Sequence, residues 1–184
     1  MKRAKVRIVG IAPLLMNRFA IETMDDDTNA KRKDQKYDPQ TDAERAAYKD
    51  EKIGYYIPSS HVEGALKKAG SDFKSKGMKT YKDVVQASVF VEEEMLPLNR
   101  NEWDEIDRRA AKVQTARIVR ARPRFNKWAL SFTLSFDDER ITPDVLKQIL
   151  SEAGATRGVG DYRPKFGRFK VAEFDVVESD SEDE

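Results

Sequence analysis

The segment Trp128-Ala129-Leu130-Ser131-Phe132-Thr133-Leu134-Ser135-Phe136 alternates without a break between large apolar residues and small ones. A period of two is that of a β-strand, because successive side chains of a strand point to opposite faces of a sheet. The alternation therefore predicts a strand at 128–136 with one face on a core and the other face open or lightly covered.

The residues after this strand predict a helix, a loop and a last strand. Thr142, Pro143 and Asp144 have the residue types that favour the N-cap, the first position and the first turn of a helix. A glycine-rich loop follows at 158–167 and leads into an apolar strand pattern at 168–177. The order from residue 128 onward is thus strand, helix, loop, strand.

The residues before 128 predict the remaining elements. A first strand is expected at Lys5–Ile11, where apolar and basic residues alternate. Ser60 and Glu63 have the spacing of a capping box, which predicts the start of a helix. A further strand is expected at Gln86–Val91, and the apolar spacing within Asn101–Val113 predicts another helix.

With the segment 101–113 left aside, these elements predict an α+β fold of the ferredoxin-like, RRM-like type. Its order is βαββαβ, with an antiparallel sheet and two helices on one face. Residues 20–52 are polar and charge-dense, so we expect a long flexible loop insertion after the first strand. We expect one domain at 1–177 and an acidic disordered tail at 178–184.

The charges of the 184-residue chain are unevenly distributed. Seven acidic residues and no basic ones lie between Glu173 and Glu184, and the rest of the chain has 34 basic against 26 acidic residues. A basic body with an acidic tail is common in nucleic-acid-binding proteins, although the tail could also be a simple solubilising end.

Other features of the composition exclude several classes of protein. With no cysteine the chain has neither disulfides nor thiolate metal ligands. No run of 18 apolar residues is present, which argues against a membrane span, and the N-terminus lacks the apolar region of a signal peptide. We therefore expect an intracellular, cytoplasmic protein.

An arginine-rich segment precedes the strand at 128–136. Residues 108–127 contain eight basic residues and no acidic one, in a chain with 33 carboxylates. Such a segment with interleaved aromatic residues predicts a groove that follows phosphates, whereas the alternative is an exposed hairpin, and Trp128 itself favours the core. The candidate nucleic-acid contacts in this segment are Arg117, Arg120, Arg122, Arg124, Phe125 and Lys127.

The glycine-rich loop is the second candidate for nucleic-acid contacts. Its basic residues Arg163, Lys165 and Arg168 suit phosphates, and Tyr162 and Phe166 suit stacking on bases. The alternative is a structural turn in which Phe166 is buried. No Gly-Lys-Ser/Thr follows the loop, so it is not a P-loop, and it precedes a strand rather than following one, unlike a dinucleotide fingerprint.

Two features leave room for catalysis. His61, the only histidine, could serve as a general base, although a histidine at a helix start is more often structural. Asp25, Asp26 and Asp27 could bind a divalent metal through oxygens, but no further ligand has a defined spacing from them. We expect no cofactor and no metal.

Two segments carry a resemblance to a known family. Gly158-Val159-Gly160, followed by basic residues and Gly167, resembles the C-terminal glycine-rich motif of the RAMP superfamily, the RNA-binding proteins of CRISPR systems. Residues 56–66 are similar to the stretch that leads into the first helix of backbone subunits of CRISPR effector complexes, and 6–15 match their first strand. The resemblance implies an RRM-like protein that binds single-stranded RNA, often in multiple copies along the strand. It also implies that the 20–52 insertion acts as a thumb that reaches a neighbour.

The chain also departs from that family. It is shorter, it has six residues between Gly160 and Gly167 where five is usual, and its acidic tail is not typical. A phage or mobile-element single-strand-binding relative therefore stays open, and so does the choice between RNA and DNA.

The leading hypothesis is a non-catalytic protein that binds single-stranded nucleic acid and self-associates. One alternative is a RAMP-type endoribonuclease that uses His61 or the three aspartates with metal. The other is an interaction adaptor that holds a protein partner through its acidic tail.

Overall fold

The computed structural model describes residues 1–18, 37–77, 79–113 and 116–177, and the side chains at 111–113 and 116–118 fall outside this part. The predictions for most of the 20–52 insertion, for Asp25–Asp27 and for the tail at 178–184 therefore lie outside the described residues.

The fold is of the α+β class, with antiparallel sheets and four α-helices in the described part of the chain. Among these residues no helix is long and apolar enough to cross a membrane. The elements in chain order are β1 (Lys2–Gly10), β2 (Leu14–Leu15), α1 (Pro39–Ala46), β3 (Lys49–Asp50), β4 (Gly54–Pro58), α2 (Ser59–Ala69), α3 (Tyr81–Ser88), β5 (Val89–Val91), β6 (Met95–Pro97), β7 (Glu105–Val113), β8 (Ala116–Phe125), β9 (Ala129–Phe136), α4 (Pro143–Glu152) and β10 (Phe169–Val177).

A four-stranded sheet forms the centre of the molecule, in the order β10–β1–β9–β5, and every neighbouring pair is antiparallel. Val6 of β1 lies between Phe132 of β9 and Phe174 of β10. The apolar face of this sheet packs with α2 and α4 into one core, in which Leu134 and Leu146 are fully buried. The predicted strand at 128–136 is confirmed, and so is the burial of its apolar side.

The helix predicted at Thr142 is also confirmed. Thr142 is the N-cap of α4, and its hydroxyl accepts a hydrogen bond from the Val145 amide at 3.4 Å. Pro143 occupies the first helical position and Asp144 the first turn, where a carboxylate favours the helix dipole.

Two further sheets extend from this core, β2–β8–β7 and β3–β4–β6. Strands β7 and β8 form a long hairpin, 105–125, which we call the arginine hairpin. Helix α1 covers the outer edge of β8, where the Asp42 carboxylate accepts a hydrogen bond from the Ala121 amide at 2.8 Å.

The helix predicted within Asn101–Val113 is wrong, because the segment forms β7. Trp103, Ile106 and Ala110 have helical spacing, yet every residue of 105–113 pairs with a residue of β8. Backbone pairing with a partner strand outweighs a weak periodicity, because propensity is easily overridden by tertiary context.

Two boundaries also differ from the sequence expectation. The strand expected at Gln86–Val91 is confined to β5, because α3 continues to Ser88. The predicted capping box does not form: α2 already includes Ser59, and the Glu63 carboxylate accepts a hydrogen bond from the Val91 amide at 3.0 Å instead. Glu63 thereby ties α2 to the edge strand of the central sheet.

Candidate nucleic-acid interface

The glycine-rich loop, 158–167, lies against β2. The Asp161 amide donates to the Leu15 carbonyl and the Gly167 amide to the Pro13 carbonyl, both at 2.8 Å. Gly160 has a φ of 80°, and a Cβ there would lie 2.5 Å from the Leu15 carbonyl oxygen. Gly167 has a φ of 76°, and a Cβ there would lie even closer to the Val159 carbonyl oxygen. Only glycine allows this conformation and this approach, so these two glycines hold the loop in place.

The loop also packs on one face of the arginine hairpin. The register pairs Arg109 with Arg120, and alternation places Arg122 and Arg124 on the same face. Arg122 Nε lies 2.5 Å from the Asp161 carboxylate. Arg109 and Arg124 lie over the Phe166 ring, with their guanidinium carbons 4.6 and 5.7 Å from its centroid. Much of the arginine content of the hairpin is thus used to hold the loop.

Three of the predicted contact residues are buried in this arrangement. Arg122 is 6% exposed and paired with Asp161. Phe125 is fully buried in the core, and Phe166, a residue of the loop itself, is 4% exposed. A ring stacks on a base only if one of its faces is free. We therefore leave Arg122, Phe125 and Phe166 out of the candidate interface. The alternative stated for the loop, in which Phe166 is buried, agrees with the structure.

Tyr162 is the aromatic residue that the loop exposes. Tyr162 is 47% exposed, and its backbone has a positive φ of 55°. The Arg109 guanidinium carbon lies 5.1 Å from the ring centroid, and the Phe166 ring packs at 6.0 Å in an edge contact. These contacts hold the Tyr162 ring while about half of the residue is exposed, which suits base stacking.

The other predicted cations of the loop and of the end of the hairpin differ in how far they are engaged. Arg163, Lys165 and Lys127 are exposed, Arg168 is half-buried, and within the described residues none of them forms an ion pair.

The predicted contacts of the hairpin itself are more constrained. Arg120 is about half exposed and lies 3.6 Å from Asp42. Arg124 is held by Asn126 and by the Phe166 ring. Arg117 lies in β8 opposite Lys112, and its side chain is outside the described part.

His61 lies beneath the same loop. Its Nδ1 accepts a hydrogen bond from the Gly160 amide at 3.3 Å, and its ring meets the edge of Tyr48 at 5.6 Å. Burial, followed by the positive charge of Arg163, holds the pKa of His61 below its usual value. This hydrogen bond assigns the proton of the neutral ring to Nε2, so the Nδ1 lone pair is already in use. The geometry gives His61 a supporting role in the loop, and catalysis by it stays a prediction.

The open face of the central sheet offers phosphates some cations but few stacking surfaces. Arg3, Lys5 and Arg7 of β1 lie there beside serines and a threonine of β9. Arg3 is bonded to Glu92 at 2.7 Å. RNA-recognition modules stack bases on aromatic residues of the sheet. Among the described residues on this face, β1 and β9 present no aromatic side chain, and the exposed aromatic ring is Phe90 of the edge strand β5.

Sequence reasoning missed the contact between Arg109 and Tyr162. Arg109 is distant from Tyr162 in the chain, and no spacing rule joins a hairpin residue to a loop residue beyond the next strand and helix. Nor do the described residues contain a group of three histidine or carboxylate side chains suited to a metal.

Comparison with known proteins supplies only the fold. No family model matches the chain, and no curated protein matches it. A similar solved structure is a chain of the Type III-B Cmr-beta bound to cognate target RNA, with a TM-score of 0.50 and 12% identity. The match covers 96% of this chain and 60% of that chain, so this protein spans less than two thirds of its length. At this identity the similarity shows a shared fold and no more.

Proposed function

We propose that this protein binds single-stranded nucleic acid, RNA or DNA, without cleaving it. The observation that carries the proposal is Tyr162, which Arg109 and Phe166 hold at the tip of an anchored loop with about half of the residue exposed. A ring that is already positioned loses little conformational freedom when a base stacks on it. Stacking is tolerant of sequence, because every base has a flat face.

Tyr162 and the exposed cations of the loop and the hairpin together make up the surface that would meet the phosphates. We call it the loop–hairpin surface, and its members are Arg120, Lys127, Tyr162, Arg163, Lys165 and Arg168. Lysine and arginine side chains release counterions from a nucleic acid when they neutralise its phosphates, which contributes binding free energy that depends on salt.

The fold is compatible with this function. We infer that β1, α2, β5, β9, α4 and β10 form a ferredoxin-like unit, because their strands have the order β10–β1–β9–β5. The similar Cmr-beta chain belongs to a structure bound to target RNA, so RNA is the first ligand to test. Binding of several copies along one strand, as the RAMP resemblance implies, is part of the proposal.

Fluorescence anisotropy with labelled U20 and dT20 tests the proposal. Log affinity should fall linearly with log salt, with a slope of about −0.7 for each phosphate contact. The Tyr162→Ala variant should bind roughly five- to 100-fold more weakly, because it loses one stacked base, whereas Tyr162→Phe should bind like the parent protein.

The same samples test the non-catalytic part of the proposal. The labelled U20 should remain intact on a denaturing gel after prolonged incubation with the protein. Cleavage that the His61→Ala substitution abolishes would instead support the endoribonuclease alternative. An affinity that stays constant between low and moderate salt would overturn nucleic-acid binding at this surface.

A further inference from the structure

A second exposed tyrosine lies at the edge of the arginine hairpin that α1 covers. Tyr37 precedes α1 and is 49% exposed. The pKa of its hydroxyl is raised by desolvation and by Asp42, whereas Arg108 and Arg120 lower it. The geometry of α1 places Tyr37 beside the hairpin: Asp38 next to it is the N-cap of α1, and Asp42, one turn further on, contacts Arg120 and the Ala121 amide of β8.

The register of the hairpin joins the two tyrosines through a pair of arginines. Arg109 of β7, which lies under the Tyr162 ring, is directly opposite Arg120 of β8. The Cβ atoms of directly opposite residues lie about 5 Å apart, so the two arginine side chains leave the sheet next to each other on one face. Crossing the hairpin from Tyr162, a chain would meet Arg109, then Arg120 and then the α1 side, where Tyr37 lies.

An acidic residue already occupies the middle of this path. Asp42 lies 3.6 Å from the Arg120 guanidinium and also accepts the Ala121 amide hydrogen bond. The Arg120 side chain is 47% exposed, so its pairing with Asp42 is a surface ion pair and contributes little to stability. A phosphate can replace a carboxylate on an arginine, because guanidinium groups bind both anions through the same forked donors.

We infer that a bound strand crosses the arginine hairpin between Tyr162 and Tyr37, with a phosphate taking the place of Asp42 on Arg120. This inference rests on the proposed function and names the path of the ligand on the same surface. In the free protein Asp42 acts as a competing anion for Arg120, so removal of its charge favours the bound state.

The open face of the central sheet is the competing path. Phe90 of β5 is 46% exposed there, opposite Ser135. Acidic residues accompany the cations of that face: Asp175 lies opposite Lys5, and Glu173 lies opposite Arg7. These carboxylates repel a phosphate chain, so the hairpin path is favoured over the sheet.

Three substitutions of aromatic residues test the path with labelled U20 in the anisotropy assay. Tyr37→Ala should weaken binding roughly five- to 100-fold, as expected for one lost stacked base. Tyr37→Phe should leave the affinity unchanged. Phe90→Ala, the matched loss of an equally exposed aromatic ring on the other path, should also leave it unchanged.

Asp42→Asn separates the charge from the hydrogen bond. Its amide oxygen still accepts from Ala121, but it no longer pairs with Arg120. Binding should therefore become roughly two- to five-fold tighter, which is the scale of one surface ion pair. Circular dichroism melting curves verify that each variant is folded.

The outcomes distinguish the inference from the proposed function. Weak binding by Tyr162→Ala together with full binding by Tyr37→Ala would overturn the path and leave the proposed function standing. Weakened binding by Phe90→Ala would overturn the hairpin path, because the nucleic acid would then contact the open face of the central sheet. A parent protein with no salt-sensitive binding would overturn both.

Discussion

His61 shows how a single residue acquires its role from its surroundings. The Gly160 amide donates to its Nδ1, and Arg163 lies close enough to disfavour a positive charge on the ring. A protonated Nδ1 cannot accept that hydrogen bond, so charging His61 would break one of the contacts that anchor the glycine-rich loop. The loop conformation and the protonation state of His61 are therefore coupled.

This coupling predicts a measurable titration. The pKa of the folded protein's His61 should lie below its ordinary value of 6.5, and proton NMR can follow it without ambiguity because the chain has one histidine. The unfolded chain then binds more protons than the folded one below pH 6.5, so the free energy of unfolding should fall as the pH drops from 7 to 5. His61→Gln, whose amide oxygen can still accept from Gly160, should remove that part of the pH dependence. A titration midpoint at or above 6.5 would contradict this assignment.

Among the elements, the arginine hairpin differs most from its sequence expectation. Its first strand has apolar residues at helical spacing, and its second strand has a run of arginines that suits a ligand groove. The structure divides those arginines between two uses. Arg109, Arg122 and Arg124 support the glycine-rich loop, whereas Arg120 lies at the surface with Asp42.

The base of the hairpin provides a pH-dependent contact. Asp104 binds both guanidinium nitrogens of Arg100, at 2.6 and 2.9 Å, and accepts from the Asn126 amide at 2.7 Å. The hydrogen bonds from Arg100 and then from Asn126 lower the pKa of Asp104 to about 2. Because the folded pKa lies below the ordinary value of 3.8, this stabilisation should be present above about pH 4 and be lost as the pH falls through 2.

Urea unfolding of the parent protein and Asp104→Asn at pH 6, 3 and 2 measures this effect. The parent should be the more stable protein at pH 6, and the difference should shrink toward pH 2. Glu139→Gln, at an exposed carboxylate without an ion pair among the described residues, should differ little from the parent at pH 6. A gap between parent and Asp104→Asn that stays constant with pH would rule out an ionised Asp104 as its source.

At the scale of the whole molecule, β9 is the strand on which the core is built. It pairs with β1 on one side and β5 on the other, and its alternate residues from Leu130 to Phe136 are buried under α2 and α4. Leu134 is fully buried, with Ala4 and Val91 as its direct neighbours across the two pairings. Such a residue fills space that no other side chain can take up.

Leu134→Ala should therefore lower the free energy of unfolding by about 2–5 kcal/mol, through lost burial and the cavity that remains. Ser131→Ala, on the exposed side of the same strand, should change it by less than about 0.5 kcal/mol. The two urea midpoints give the comparison directly. Equal effects of both substitutions would mean that β9 does not have one buried and one open face.

Short-range patterns in the sequence were sufficient for β9, for α4 with its Thr142 cap and for the presence of a first and a last strand. Each of these depends on alternation or capping within about ten residues, which is the range over which backbone geometry imposes a period. The burial of Phe166 and the exposure of Tyr162 could not be told apart in this way. Both are aromatic residues of one loop, and their roles depend on where Arg109 lies.

The sequence alone determined the α+β class, the apolar face of the central sheet and the concentration of cations in the hairpin and the loop. Tertiary packing settled which cations support the loop and which remain at the surface. It did so because Arg122 and Asp161, or Arg109 and Tyr162, meet only after the hairpin folds against a loop that its glycines hold on β2. Contacts between residues so distant in the chain have no period, and only the folded backbone brings them together.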